Sequence, residues 1–154
     1  YPHLVVLRTL SKAWGLAGAR VGLAVADEEI VAAMNKVKYP YNMSLLAQQC
    51  AMDALDKADQ VRQEVRRTIA EREKLSKRLK QLAFVEEVVP SQANFVLVRV
   101  RDADGLYAFL RDKGIIVRNR SSLRGCYGCV RITVGSSAEN ETLMTALQEW
   151  EGLR

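Results

Sequence analysis

The 154-residue chain is 49% hydrophobic and 27% charged, the balance of an ordinary globular protein rather than a disordered or fibrous one. No stretch reaches the roughly eighteen uninterrupted apolar residues of a membrane span, and Tyr1-Pro2-His3 has none of the zones of a secretory signal. The net charge of +5 does not mark a nucleic-acid partner: its cations concentrate at Arg62, Arg66, Arg67, Arg72, Lys74, Lys77 and Arg78, alternating with Asp59, Glu64, Glu71 and Glu73 as on a solvated helix, with no helix-turn-helix, finger or base-stacking pattern.

Taken in order, Leu4 to Leu7 and Val21 to Ala26 are short apolar runs without helical period, which predicts two buried strands flanking a Gly-rich turn. A helix follows from Asp27 to Lys38, with Asp27 as N-cap, Glu28 and Glu29 in its first turn, Lys36 and Lys38 in its last, and Pro40 beyond as a stop. Tyr39 to Ser44 is a loop, because the residue before proline avoids the helical region. Ser44 caps a further helix that runs to about Leu82 and breaks near Lys57 to Asp59, its first half Ala-rich and its second half charged around a thin apolar stripe. The period then turns to strands at Phe84–Val89 and Asn94–Val100, a helix from Asp102 to Lys113 ended by Gly114, strands at Ile115–Val117 and Val130–Val134, and a last helix capped by Ser136 or Ser137 and running through Trp150. That order describes a sheet with helices on one side.

Three cysteines, an odd number, fit a reducing compartment. Cys126 and Cys129 have the C-x-x-C spacing, but a zinc site normally takes four ligands and a redox pair usually opens a helix, whereas Cys129 opens a strand. The pair reads as two thiols flanking a turn.

Between the first two strands lies Leu7-Arg-Thr-Leu-Ser-Lys-Ala-Trp-Gly-Leu-Ala-Gly-Ala-Arg-Val-Gly22. Lys12 supplies an amine, Thr9 and Ser11 supply hydroxyls, and Arg20, eight positions after Lys12, supplies a fork of donors suited to a phosphate. Gly15, Gly18 and Gly22 allow close backbone approach or backbone angles that other residues resist. Together they make a receptor for a molecule carrying a phosphate and an aldehyde.

This stretch resembles the lysine signature of the fold type I pyridoxal-phosphate aminotransferases, and within them of the histidinol-phosphate aminotransferases. The resemblance implies that Lys12 bonds the aldehyde of pyridoxal 5'-phosphate and is the catalytic base, while Thr9, Ser11 and Arg20 hold the cofactor phosphate. It implies an α/β protein in which residues 1–44 are the C-terminal end of a large cofactor domain. Residues 45–154 are then a small C-terminal α+β domain with an antiparallel or mixed sheet, entered along a long connecting helix.

Two arginines occupy unexpected positions: Arg118 follows the apolar Ile115-Ile116-Val117, and Arg131 stands between Val130 and Ile132 inside an otherwise apolar strand. A guanidinium there needs an anion, either an internal carboxylate or a ligand. By the same resemblance, Val130-Arg131-Ile132-Thr133-Val134-Gly135 brings Arg131 to the substrate carboxylate, and Arg118 matches a second substrate-contacting arginine directed at the substrate phosphate. Asn94 also fits the family pattern, as does the Pro40-Tyr41-Asn42 stretch, with no role assigned to either.

The implied activity is amino transfer from histidinol phosphate to 2-oxoglutarate, giving glutamate, in histidine biosynthesis, by a cytoplasmic homodimer without metal, nucleic-acid or membrane partner. The family residues that meet the cofactor ring have no counterpart in the chain, so the resemblance implies the last part of such an enzyme, inactive alone. Two other readings remain open: another enzyme of the same fold, a decarboxylase or acyl-transferring synthase, or a non-catalytic interaction module built on the charged helix from Asp59 to Leu82.

Overall fold

The computed structural model describes residues 1–153, which fall into two compact units that divide after Val65. In the first unit, β1 (Val5–Thr9) and β2 (Gly22–Ala26) pair antiparallel, with Val5 opposite Ala26 and Thr9 opposite Gly22. The strands form as the apolar runs predict, but the expected burial does not: every residue of β1 is exposed, and so is all of β2 except the half-buried Ala26. A two-stranded ribbon has two faces, and the buried apolar core of this unit consists of only Leu10, Val21 and Ala51, with Trp14, Leu16, Ala19 and Ala47 packed around it.

The helices of this unit begin where their caps stand. Asp27 accepts from the Glu29 backbone N–H at 3.1 Å and opens α1 (Glu28–Val37). Ser44 accepts from the Ala47 N–H at 3.2 Å and opens α2 (Leu45–Leu55). The expected break falls at Asp56 and Lys57, whose N–H groups return to Met52 and Ala54, after which α3 (Ala58–Leu79) begins.

The second unit is built on an antiparallel sheet of order β3-β4-β6-β5, comprising β3 (Val85–Val89), β4 (Phe95–Val100), β5 (Arg118–Asn119) and β6 (Cys129–Thr133). Side chains alternate across a strand, so Val96, Val98 and Val100 of β4 and Val130 and Ile132 of β6 share one face. They are buried in one cluster with Leu75 and Leu79 of α3, Leu106 and Leu110 of α4 (Ala103–Asp112), and Leu143, Met144 and Leu147 of α5 (Ser137–Gly152). Ser136 and Glu139 cap α5 reciprocally as a capping box, which satisfies two N–H groups at its first turn.

One strand is displaced from its sequence-based position. Ile115–Val117 is not a strand; β5 is the two residues that follow. The Ile115 N–H closes the end of α4 on the Leu110 carbonyl at 2.8 Å, so this apolar segment finishes a helix, and pairing with β6 starts at Arg118.

Candidate functional site

Lys12 lies in the connection between β1 and β2, whose mouth is held by register. Beyond the Thr9–Gly22 pair, the Leu10 N–H donates to the Val21 carbonyl at 3.2 Å, and both side chains are buried. Ser11 therefore follows one anchored residue and Arg20 precedes the other, so the backbone of these two residues lies at the same end of the loop. Thr9 Oγ1 accepts from the Ser11 N–H at 3.1 Å, fixing one hydroxyl over the start of the loop. A second turn places the lysine itself: the Gly15 N–H returns to the Lys12 carbonyl at 2.9 Å, with Gly15 at φ 69, where a side chain would be strained. The Lys12 side chain is exposed.

Arg20 has φ 57, the left-handed region, and is the one non-glycine residue with positive φ among the described residues. An arginine pays steric energy there that glycine would not, and such outliers cluster at ligand sites. Its Nη1 donates to the Ala17 carbonyl at 3.1 Å, which steadies the side chain. Arg20 also borders a cleft of about 600 Å³ between Gly15–Arg20 and the Asn42–Ser44 loop with the start of α2. The donor set of this loop, an amine, two hydroxyls and a guanidinium, fits a phosphate-bearing aldehyde.

The second constellation belongs to the other unit. Arg118 of β5 and Arg131 of β6 are direct register partners, so their side chains leave the same face of the sheet, the one opposite the helices. Like charges in that arrangement repel, and neither arginine takes part in an ion pair among the described residues. Arg131 stacks its guanidinium over the Phe95 ring at 5.1 Å, and its buried Nε has no hydrogen-bond partner. Two cations side by side, one with an unsatisfied donor, are chemically suited to an anion. The internal carboxylate that the sequence leaves open as a partner of Arg131 is not among the described ion pairs.

Three features escape the sequence. Phe95 under Arg131 and the Arg118–Arg131 juxtaposition both depend on strand register. The third is a buried polar network: Asn140 donates to Glu71 at 3.1 Å and to the Gly135 carbonyl at 3.1 Å, and accepts from the Gly135 N–H at 3.1 Å. Glu71 is held below its ordinary carboxyl value, first by the Lys74 ammonium and then by Asn140. An asparagine three and seven residues ahead of Leu143 and Leu147 on the core face of α5 is the signal that could have revealed it. Asn94 serves the backbone, its carbonyl accepting from the Val134 N–H at 2.9 Å.

A family model described as aminotransferase class I and II matches residues 1–147. The chain is 47% identical over 148 residues to a histidinol-phosphate aminotransferase from Parabacteroides distasonis, covering 96% of this chain and 43% of that protein. Its structure resembles that of histidinol-phosphate aminotransferase from Sinorhizobium meliloti in complex with pyridoxal-5'-phosphate, with a TM-score of 0.81 and 28% identity, over 98% of this chain and 42% of the other. It also resembles L-threonine-O-3-phosphate decarboxylase from Porphyromonas gingivalis, with a TM-score of 0.79 and 28% identity, over 97% and 47%. The chain thus spans less than half the length of these relatives.

Proposed function

The chain belongs to the class I and II aminotransferases, and from that premise we propose that it is the lysine-bearing part of a pyridoxal-phosphate-dependent histidinol-phosphate:2-oxoglutarate aminotransferase. The observation that supports this reading is the loop between β1 and β2, whose paired strands bring the backbone of Thr9 and Ser11 near that of Arg20, with Lys12 next in sequence after Ser11. Pyridoxal phosphate, when bound, supplies an aldehyde for the substrate amine and a ring that takes up the electron pair left at the substrate Cα.

The remaining steps are the work of side chains. Thr9, Ser11 and Arg20 hold the cofactor phosphate, the guanidinium supplying charge-assisted hydrogen bonds. Lys12 is the residue that would hold the cofactor aldehyde, and its Nζ, as a free amine, would take the proton from the substrate Cα. Arg131 binds the carboxylate of glutamate and 2-oxoglutarate as a bidentate pair, and Arg118 beside it binds the phosphate of histidinol phosphate. Residues 1–44 are proposed as the end of the cofactor domain and 45–154 as the small domain, with α2 and α3 as the connection; the compact units divide further along, within α3. The proposed assembly is a homodimer in the cytoplasm, and no described helix is long and apolar enough to cross a membrane.

The likeness to a phosphothreonine decarboxylase favours a second reading, a decarboxylase acting on a phosphorylated amino acid. Both are tested on the full-length protein with histidinol phosphate and 2-oxoglutarate. Glutamate should form, and Lys12→Ala should lose both glutamate production and the visible absorbance of the lysine-bound cofactor. Arg131→Ala should weaken every substrate by about 1.5–3 kcal/mol, tenfold or more, while Arg118→Ala should spare glutamate. A Lys12→Ala enzyme of undiminished rate would refute the lysine assignment, and release of carbon dioxide without glutamate would favour the decarboxylase.

A further inference from the structure

The connection from β5 to β6 ends in Cys126-Tyr127-Gly128-Cys129. The Cys129 N–H returns to the Cys126 carbonyl at 2.9 Å, which makes the four residues a hydrogen-bonded β-turn. Gly128, at φ 68, supplies the positive angle that the third position of a type II turn requires, and a Cβ there would stand 3.1 Å from the Val100 carbonyl oxygen. Such a turn brings its first and last Cα atoms within about 7 Å, and disulfides span Cα separations of about 4.4–6.8 Å. Both cysteines are free thiols. We infer that Cys126 and Cys129 form a reversible disulfide across this turn, a thiol-exchange site on the segment that joins Arg118 to Arg131.

The two sulfurs are unequal, which sets the order of events. Cys126 is half-buried and reachable, whereas Cys129 is wholly buried with its Sγ against the Tyr127 carbonyl at 3.7 Å. Burial pushes the Cys129 thiol up, opposed in part by the Arg99 guanidinium, which also donates to the Tyr127 carbonyl. The Cys126 thiolate therefore attacks first, on one sulfur of a low-molecular-weight disulfide such as glutathione disulfide, and releases one glutathione thiolate. The bound glutathione is then displaced by Cys129, whose proton passes to the thiolate just released. Two cysteine thiols are oxidised, one glutathione disulfide is reduced to two thiols, and a ring closes over the turn.

That ring lies beside the arginine pair. Cys129 stands two residues before Arg131 on β6, opposite Arg99 of β4, and its carbonyl accepts from the Arg120 N–H at 2.8 Å. Closing it restrains the segment between the strands that carry Arg118 and Arg131. The chemistry needs only the turn, and holds whatever the role of Lys12.

The test equilibrates the chain with mixtures of glutathione and its disulfide, blocks remaining thiols with a maleimide, and locates the products by proteolysis and mass spectrometry. The expected product has lost two hydrogens within the peptide holding Cys126 and Cys129, with Cys50 blocked by maleimide. Doubling total glutathione at constant ratio should halve the oxidised-to-reduced ratio, the mark of a disulfide between two protein thiols rather than a mixed disulfide with glutathione. Cys129→Ser should stop at a glutathione adduct on Cys126, and Cys50→Ser should behave as the unmodified protein. Maleimide on both Cys126 and Cys129 at the most oxidising ratio would overturn the inference, as would a disulfide through Cys50. The unmodified chain decides by itself whether the ring forms, even if the Cys129→Ser protein fails to fold.

Discussion

Leu147 and Leu7 are both apolar residues of regular elements, yet Leu147 is 1% exposed and Leu7 is 73% exposed. The contrast extends over their units. From Arg66 onward, three helices and one sheet face close on a continuous core, while residues 1–65 bury three apolar side chains and leave Val5, Val6, Leu23, Val25, Leu45 and Leu46 in solvent. The patterns differ in the same way. β4 alternates half-buried and buried residues, as a strand with one covered face does; β1 and β2 place apolar residues on both faces, which is closer to the pattern of strands covered on both sides. A strand's sequence thus records the surroundings it is fitted to, and the second unit carries its surroundings within itself.

Truncation gives the largest expected break in this comparison. Leu147→Ala or Leu106→Ala should lower stability by about 2–5 kcal/mol in a urea titration, because each removes a filled position in the core. Leu7→Ala and Leu45→Ala, at exposed positions, should change it by less than about 0.5 kcal/mol. Equal losses at Leu7 and Leu147 would mean that the ribbon is packed in solution and that the contrast is not real. A smaller effect is expected from Asn140→Ala, about 1–3 kcal/mol by the same titration, since the Gly135 N–H and the Glu71 carboxylate each lose a partner. No change in that variant would show that water replaces the amide at little cost.

The mildest distinction is in pH. Glu71, Glu139 and Glu141 all have carboxyls held below their ordinary 4.5, by the Lys74 ammonium, the Ser136 backbone N–H and the Arg78 guanidinium respectively. A carboxyl depressed in the folded state contributes stability that is complete above its unfolded value and lost as pH falls through its folded value. All three belong to the second unit, so amide exchange should show that unit losing protection as pH drops below about 4.5 while the first unit changes little. Loss confined to residues 1–65 would reverse the expected order.

Local signals were legible and distant ones were not. Asp27, Ser44 and the Ser136–Glu139 box announce three helix starts because a cap bonds within its own first turn. The turn before Asp59 and the alternation in β4 were equally readable. Ile115–Val117 misled because its apolarity is shared by a helix ending and a strand, and only the Leu110 carbonyl decides between them. At the site, Thr9, Ser11, Lys12 and Arg20 lie within one short stretch, so their grouping can be read along the chain. Arg118 opposite Arg131 cannot: that pairing depends on how the chain turns between Asn119 and Val130, as does the placement of Phe95 under Arg131.

The left-handed backbone of Arg20 sets local comfort against chemistry. Glycine at position 20 would relieve roughly 1–2 kcal/mol of steric cost but remove the guanidinium proposed to hold a phosphate. A laboratory screen that rewarded heat resistance alone would therefore tend to accept glycine at this position and, in doing so, discard the proposed anion receptor. Adding a phosphate-bearing ligand to the same screen would reverse that preference, making position 20 a marker for whether an engineering campaign is preserving the molecule or only its fold.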